Sequence, residues 1–355
     1  MKTTYLYSNS MMRYKFQCIV LVVIMICLFQ SKYAYGKGHK KEYMSLVDID
    51  NTTLYFRRLP QLNSQVGTCY EMKKNNEKVN FCYPAIHIAG IAKCGTSAIY
   101  DFLDKQKGIL PANPDQKEYC LSSNTYFKYF KGFSNQASIN GNIVVNGCIN
   151  TPDENIVHKI LQPEAIYILM VRQLADREWA AYNFWCNPGV DKDCMGGRWS
   201  KSGMYRSPEL FHEMLLAAQY PLSAVDKYKC STFQHFYKVP IERLTLNTGI
   251  QPFVMSSEAF SGPNNWKHVQ NLQQYINKHL GATIKLNMTH LHMVNTGDQK
   301  GLNTIATHAT EGLYEMSGHR PILHSSYEYI TGCWKECSYI AELTQYPYNC
   351  TLTSA

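Results

Sequence analysis

Short, almost wholly apolar runs recur along the body of the chain at Ala85–Ala89, Ile143–Val145, Ile166–Val171 and Pro252–Met255. Continuous apolar runs of this length predict interior strands of a parallel sheet, buried on both faces. Between and after them lie stretches with helical character: Thr96–Leu103, Ala175–Phe184, Pro208–Gln219, Trp266–Leu280 and Arg320–Leu343. Gly281 follows the fourth of these and predicts a C-terminal cap. A second short strand is expected between the Thr96 helix and Lys117-Glu118. Strand–helix alternation predicts a parallel sheet with helices on both faces. The expected fold is therefore α/β, a P-loop-like three-layer arrangement. Ligands of such sheets bind outside the carboxyl ends of the strands. Lys93 and Arg172 each follow a predicted strand, so both are expected in one crevice.

The N-terminus has a different pattern. Arg13 and Lys15 precede the run Phe16–Phe29, broken only by Gln17. That is short of the roughly 20 apolar residues of a membrane span. It suits a secretory signal with Ala34-Tyr35-Gly36 as cleavage site, or a short type II Golgi anchor. Residues 1–36 are read as that segment, 37–68 as a polar stem or linker, and 69–355 as the folded body. Either N-terminal reading sends the body into the secretory lumen, tethered to the membrane if the segment is uncleaved.

The formal charge of +8 does not describe the body, because residues 1–41 hold seven Lys and Arg and no acid. The remainder carries +1, which argues against a nonspecific nucleic-acid binder. Of 13 cysteines, Cys18 and Cys27 fall in the apolar segment and Cys94 in a glycine loop, where a free thiol is expected. Cys69 with Cys82, and Cys186 with Cys194, each bracket a polar turn that an oxidising lumen would let them close. Cys333 and Cys337 have no histidine or second cysteine pair at ligand spacing, so no metal site is expected. Asn51, Asn287 and Asn349 head glycosylation sequons, usable only in the lumen.

The chemistry concentrates after the first run. Gly90 to Gly95 is a tight loop leading into the Thr96 helix, and such a loop aims backbone N–H groups and a helix N-terminus at one point. The spacing of Gly90, Gly95, Thr96 and Ser97 nearly matches the nucleotide-triphosphate P-loop. Thr96 stands where that loop has its lysine, and Lys93 lies inside the loop instead. A phosphate or sulfate fits; a magnesium-dependent NTPase or kinase does not, and no magnesium aspartate is evident.

The sequence Lys93-Cys94-Gly95-Thr96-Ser97 resembles the 5′-phosphosulfate loop of the sulfotransferases. The resemblance implies 3′-phosphoadenosine-5′-phosphosulfate as donor, with Lys93, Cys94, Gly95, Thr96 and Ser97 around its 5′ side. The family's second element is a strand ending in arginine, with a further arginine five residues on and a serine eight on. Arg172 and Arg177 fit after Ile166–Val171, whereas Ala180 stands where the serine would meet the 3′-phosphate. The Lys117-Glu118 step is similar to that of the membrane-bound carbohydrate sulfotransferases. Ser207–His212 and Ile250–Phe260 resemble the GalNAc 4-sulfate 6-O-sulfotransferase branch. The family also has a late Lys-Gly loop that closes over the donor, for which Lys300-Gly301 is the candidate. The implied acceptor is a glycan hydroxyl; the alternatives are a relative that keeps the fold without turnover and a sulfotransferase for a small-molecule acceptor.

Within that frame the residues divide the work. Lys93 is placed to donate to the leaving oxygen, an electrostatic role. Glu118 is the candidate general base, most effective with a raised pKa; His212 and His235 are the next candidates. Arg172 is suited to bidentate phosphate binding. No metal is needed, since lysine and arginine supply the positive charge. His87, mid-strand among apolar residues, is expected to be a core histidine. Trp179, Tyr182 and Trp185 are expected to pack in the core rather than form a sugar platform.

Overall fold

The structure is a computed structural model. It describes residues 43–48, 50–59, 68–117, 119–120, 126–133, 142–148, 161–185, 211, 212, 215, 235–291 and 320–350. The chain divides into two units at Met44/Ser45, and all described residues except Tyr43 and Met44 belong to the second, Ser45–Ala355. The N-terminal apolar segment, Glu118, Lys300-Gly301, Cys186 and Cys194 lie outside the described residues, as does most of Pro208–Gln219. Among the described residues no helix is long and apolar enough to cross a membrane.

The main sheet comprises β5 (Ile86–Gly90), β6 (Ile109–Pro111), β7 (Ile143–Asn146), β8 (Ile166–Val171) and β9 (Phe253–Ser256), in the order β6-β7-β5-β8-β9. The recorded pairings are all parallel. The four apolar runs and the short strand before Lys117 are thus strands, as their composition predicts. All six residues of β8 are buried, which requires cover on both faces. Helix α1 (Thr96–Asp104) packs on β5, β6 and β7, and α6 (Asn265–Leu280) on β8 and β9. Helix α6 buries Val269, Leu272, Ile276 and Leu280, one stripe at helical spacing, and ends at Gly281 with φ 60°. Helix α3 (Leu174–Trp185) follows β8. Helices α7 (Arg320–Cys333) and α8 (Cys337–Thr344) pack on α3 and β9 respectively. The remaining described helices are α2 (Tyr126–Lys131), α4 (Lys238–Thr248) and α5 (Ser257–Ser261).

The stretch expected to be a stem contains two strands, β1 (Tyr43–Val47) and β2 (Thr53–Arg58). They belong to a four-stranded sheet, β1-β2-β3-β4, with β3 (Thr68–Lys74) and β4 (Glu77–Tyr83). Strand β2 alternates, with Leu54 and Phe56 buried, Thr53 and Tyr55 exposed and Arg57 half-buried. Phe56 packs edge-on against Tyr70, Phe81 and Phe130. The Cys69–Cys82 disulfide joins directly opposed residues of β3 and β4. Cys120–Cys148 and Cys337–Cys350 are also disulfides. Cys333 is disulfide-bonded as well, so it and Cys337 are committed to sulfur rather than metal.

His87 is a core residue, stacked on Tyr167 at 5.3 Å with Nε2 3.1 Å from the Pro84 carbonyl. Trp179 stacks on Tyr182, and both meet Phe211. Tyr182 is fully buried, so this aromatic group is core.

Candidate functional site

Strand order sets the site. The chain leaves β5 toward β6 and β7 on one side and later returns to β8 and β9 on the other. The crevice at such a reversal is where open α/β sheets hold ligands. Gly90 at the end of β5 is in register with Met170, two residues before Arg172. The loop carrying Lys93 and the end of β8 carrying Arg172 are therefore neighbours across one ladder step.

The loop turns sharply, and its backbone explains its sequence. Lys93 has φ 73° and Gly95 φ 84°, both left-handed. Glycine takes this conformation at no steric cost, whereas lysine is strained by about 1–3 kcal/mol, a cost typically found where function demands the geometry. Gly90 has no room for a side chain, since a Cβ there would lie 2.8 Å from Thr96 Cγ2. Gly95 begins α1 without a side-chain cap, and the first turn of α1 has no acid. The first N–H groups of a helix have no partner within it, and they suit an anion. Lys117 Nζ donates to Ser97 Oγ, adding a cation at the same end. Lys93 Nζ lies 2.9 Å from the centroid of the Phe184 ring on α3. The donor set of backbone N–H groups, hydroxyls, two lysines and an arginine fits phosphate and sulfonate oxygens.

The loop is braced from beneath. Cys94 is a free, fully buried thiol, 3.6 Å from the Tyr237 hydroxyl. Tyr237 donates to the Arg172 carbonyl at 2.7 Å, so the thiol is left to donate to the tyrosine oxygen. The Arg172 N–H also reaches that oxygen, at 3.3 Å. Burial pushes the Cys94 thiol up to about 12, against the pull of the Tyr237 hydrogen bond and of Arg177 and Arg172. Burial likewise raises Tyr237 well above the ordinary tyrosine value. Both groups stay protonated at neutral pH, and the Cys94 N–H donates to the Ile91 carbonyl at 3.2 Å within the loop. Arg177 Nε donates to the Ala92 carbonyl at 3.0 Å, its guanidinium 4.9 Å from the centroid of Phe236, tying α3 to the loop.

Arg172 directly follows β8 and is partly buried. Burial pushes the carboxyl of nearby Asp176 up to about 7, with Arg172 pulling down and Glu258 pushing up. A carboxyl only partly ionised near neutrality leaves more of the Arg172 charge for an anion. We predict that Arg172→Ala weakens adenosine 3′,5′-bisphosphate binding by roughly 10- to 100-fold, the usual cost of a charge-assisted hydrogen bond. Its residual affinity should fall less steeply with salt. Calorimetry showing equal affinity would remove Arg172 from the site.

The other expected residues distribute as follows. Ala180 is partly buried on α3, one turn beyond Arg177. The residues flanking Glu118 are pinned to the end of β7. The Gly147 N–H donates to the Lys117 carbonyl, Asn146 Nδ2 donates to the Tyr119 carbonyl, and Cys120 is bonded to Cys148. This brings the Lys117 segment to the carboxyl end of the strand beside β5. His212 is partly buried and His235 exposed. Sequence reasoning did not single out Tyr237 or Glu258, and found Lys117 without its Ser97 contact. Among the described residues, no group of three or more His, Cys, Asp or Glu is placed to hold a metal ion.

No protein-family model matches the chain, and no curated protein matches it significantly. Among solved structures, the chain is similar to a sulfotransferase from Alicyclobacillus acidocaldarius, with 18% identity and a TM-score of 0.38. The match covers 57% of this chain and 82% of that one. At that distance the likeness does not bear on function, and the fold rests on the strand order and register above.

Proposed function

We propose that this chain transfers a sulfonate group from 3′-phosphoadenosine-5′-phosphosulfate to a glycan hydroxyl in the secretory lumen. The observation that carries the reading is the convergence of Lys93, the uncapped start of α1 and Arg172 at the ends of adjacent strands. The resemblance of Lys93–Ser97 to the sulfotransferase loop supplies the donor class.

In the reaction the acceptor oxygen bonds to sulfur as the bond from sulfur to the bridging phosphate oxygen breaks. The acceptor's proton passes to a base, and negative charge develops on the leaving oxygen. The backbone of Gly90–Ser97 and Arg172 hold the donor's phosphates. Lys93 leaves its rest on Phe184 to stabilise the leaving oxygen. Glu118 takes the proton. Lys117, bound to Ser97, adds positive charge beside the loop. The resemblance assigns Lys300-Gly301 to donor binding.

Two observations support the lumen. The described disulfides belong in an oxidising compartment. All three sequon asparagines, Asn51, Asn287 and Asn349, are exposed. Protein from secretory cells should therefore lose apparent mass on treatment with peptide N-glycosidase, and an unchanged mass would count against the luminal reading. Ala180 favours one second reading, a noncatalytic relative that binds nucleotide without turnover. Labelled sulfate transferred from donor to a panel of glycans supports the enzyme. Nucleotide binding with no transfer to any acceptor supports the binding protein.

A further inference from the structure

The peptide of Arg172 is held from two sides, and both supports lead to the C-terminal segment. On one side is Tyr237, bonded to the Arg172 carbonyl and N–H. Tyr237 is itself held by Glu336, whose carboxylate accepts the backbone N–H groups of Tyr237 and Lys238. On the other side is Glu258. One of its oxygens accepts the Gln173 N–H at 2.8 Å. The other accepts the hydroxyls of Ser256 at 2.7 Å and Tyr348 at 2.8 Å. Tyr348 is buried, packs on Trp334 at 5.5 Å, and lies in the short segment that the Cys337–Cys350 disulfide ties back to the start of α8. Trp334 also packs on Tyr237, at 6.0 Å, so the two supports share one wall.

We infer that Glu258, held by Tyr348 of the disulfide-clasped C-terminal segment, is a positioning residue for the anion-binding end of β8. It touches neither donor nor acceptor. It fixes the Gln173 peptide and so the direction from which Arg172 enters the crevice. The geometry gives it that role because three donors from three different parts of the chain meet on one carboxylate. Sites whose supporting hydrogen bonds are removed lose precision before they lose their fold. The C-terminal disulfide then has a functional consequence, since it keeps Tyr348 on Glu258. The inference rests on the nucleotide-site reading above.

The test uses the full chain purified from secretory cells. Adenosine 3′,5′-bisphosphate affinity is measured by calorimetry, together with amide hydrogen exchange. Glu258→Ala should weaken nucleotide binding by about 3- to 30-fold, the span of couplings between a site and its support. Exchange should quicken at 172–175 while 166–170 stays protected. Glu258→Gln keeps an acceptor for the Gln173 N–H and should stay within about 3-fold of wild type, a rescue that loss of packing alone does not explain. Tyr348→Phe keeps the ring against Trp334 and should move affinity and exchange in the same direction as Glu258→Ala, by less. If Glu258→Ala does not fold, Tyr348→Phe decides alone. Wild-type affinity in folded Glu258→Ala, or in Tyr348→Phe where that variant decides, overturns the inference whatever the exchange shows. If wild type binds, Lys93→Ala loses binding and Glu258→Ala does not, the inference fails by itself. If wild type binds no nucleotide, the proposed function fails and takes the inference with it.

Discussion

Glu118→Gln is expected to cut sulfonate transfer by roughly 100- to 10,000-fold while leaving nucleotide binding intact, the span usual for a general base. The substitution keeps shape and hydrogen-bonding capacity and removes only the proton acceptor. The acid limb of the pH–rate profile should disappear with it. Lys117 and Tyr119 are both tied to the end of β7, beside the β5 loop, and Cys120 is locked to Cys148. If the variant keeps most of its activity, the base is elsewhere, and His212 is tested next. If nucleotide binding collapses instead, Glu118 has a structural role through Lys117 or Lys93.

Lys93→Ala is expected to reduce transfer by about 100-fold or more, typical of removing one preorganised donor to a developing oxyanion. The left-handed backbone at this position allows a sharper comparison. Lys93→Gly removes the same cation but relieves the strain of about 1–3 kcal/mol. Its stability should equal or exceed that of Lys93→Ala, while its activity is equally low. Calorimetric melting and turnover of the two variants separate the cation's role from the loop's geometry. Equal turnover in wild type and a folded Lys93→Ala protein would end the assignment.

The parts of this architecture that depend on local pattern were readable in the chain. Ile166–Val171 is apolar throughout because both faces are covered, and Val269, Leu272, Ile276 and Leu280 recur at helical spacing because one face is. Lys93 was legible as a loop lysine, but its left-handed backbone was not, since nothing about lysine signals positive φ. Strand β2 escaped because its buried residues, Leu54 and Phe56, are interleaved with Arg, Thr and Tyr over a very short span. The supports of the site are long-range contacts. Tyr237 meets Cys94 across 143 residues and Arg172 across 65, and Tyr348 meets Glu258 across 90. No local periodicity encodes such pairs. Disulfide partners are equally unreadable from spacing. The Cys69–Cys82 pair was a candidate because it brackets a polar turn, whereas Cys337–Cys350, at the same separation of 13 residues, and Cys120–Cys148 follow only from the fold.

The most direct test of the central claim is transfer of labelled sulfonate from 3′-phosphoadenosine-5′-phosphosulfate to a panel of glycans, with wild type and Lys93→Ala assayed side by side. The account predicts label on at least one glycan with wild type, and about 100-fold less with Lys93→Ala. Absence of label on every glycan with a folded, nucleotide-binding wild type, or equal labelling by the two proteins, would contradict it.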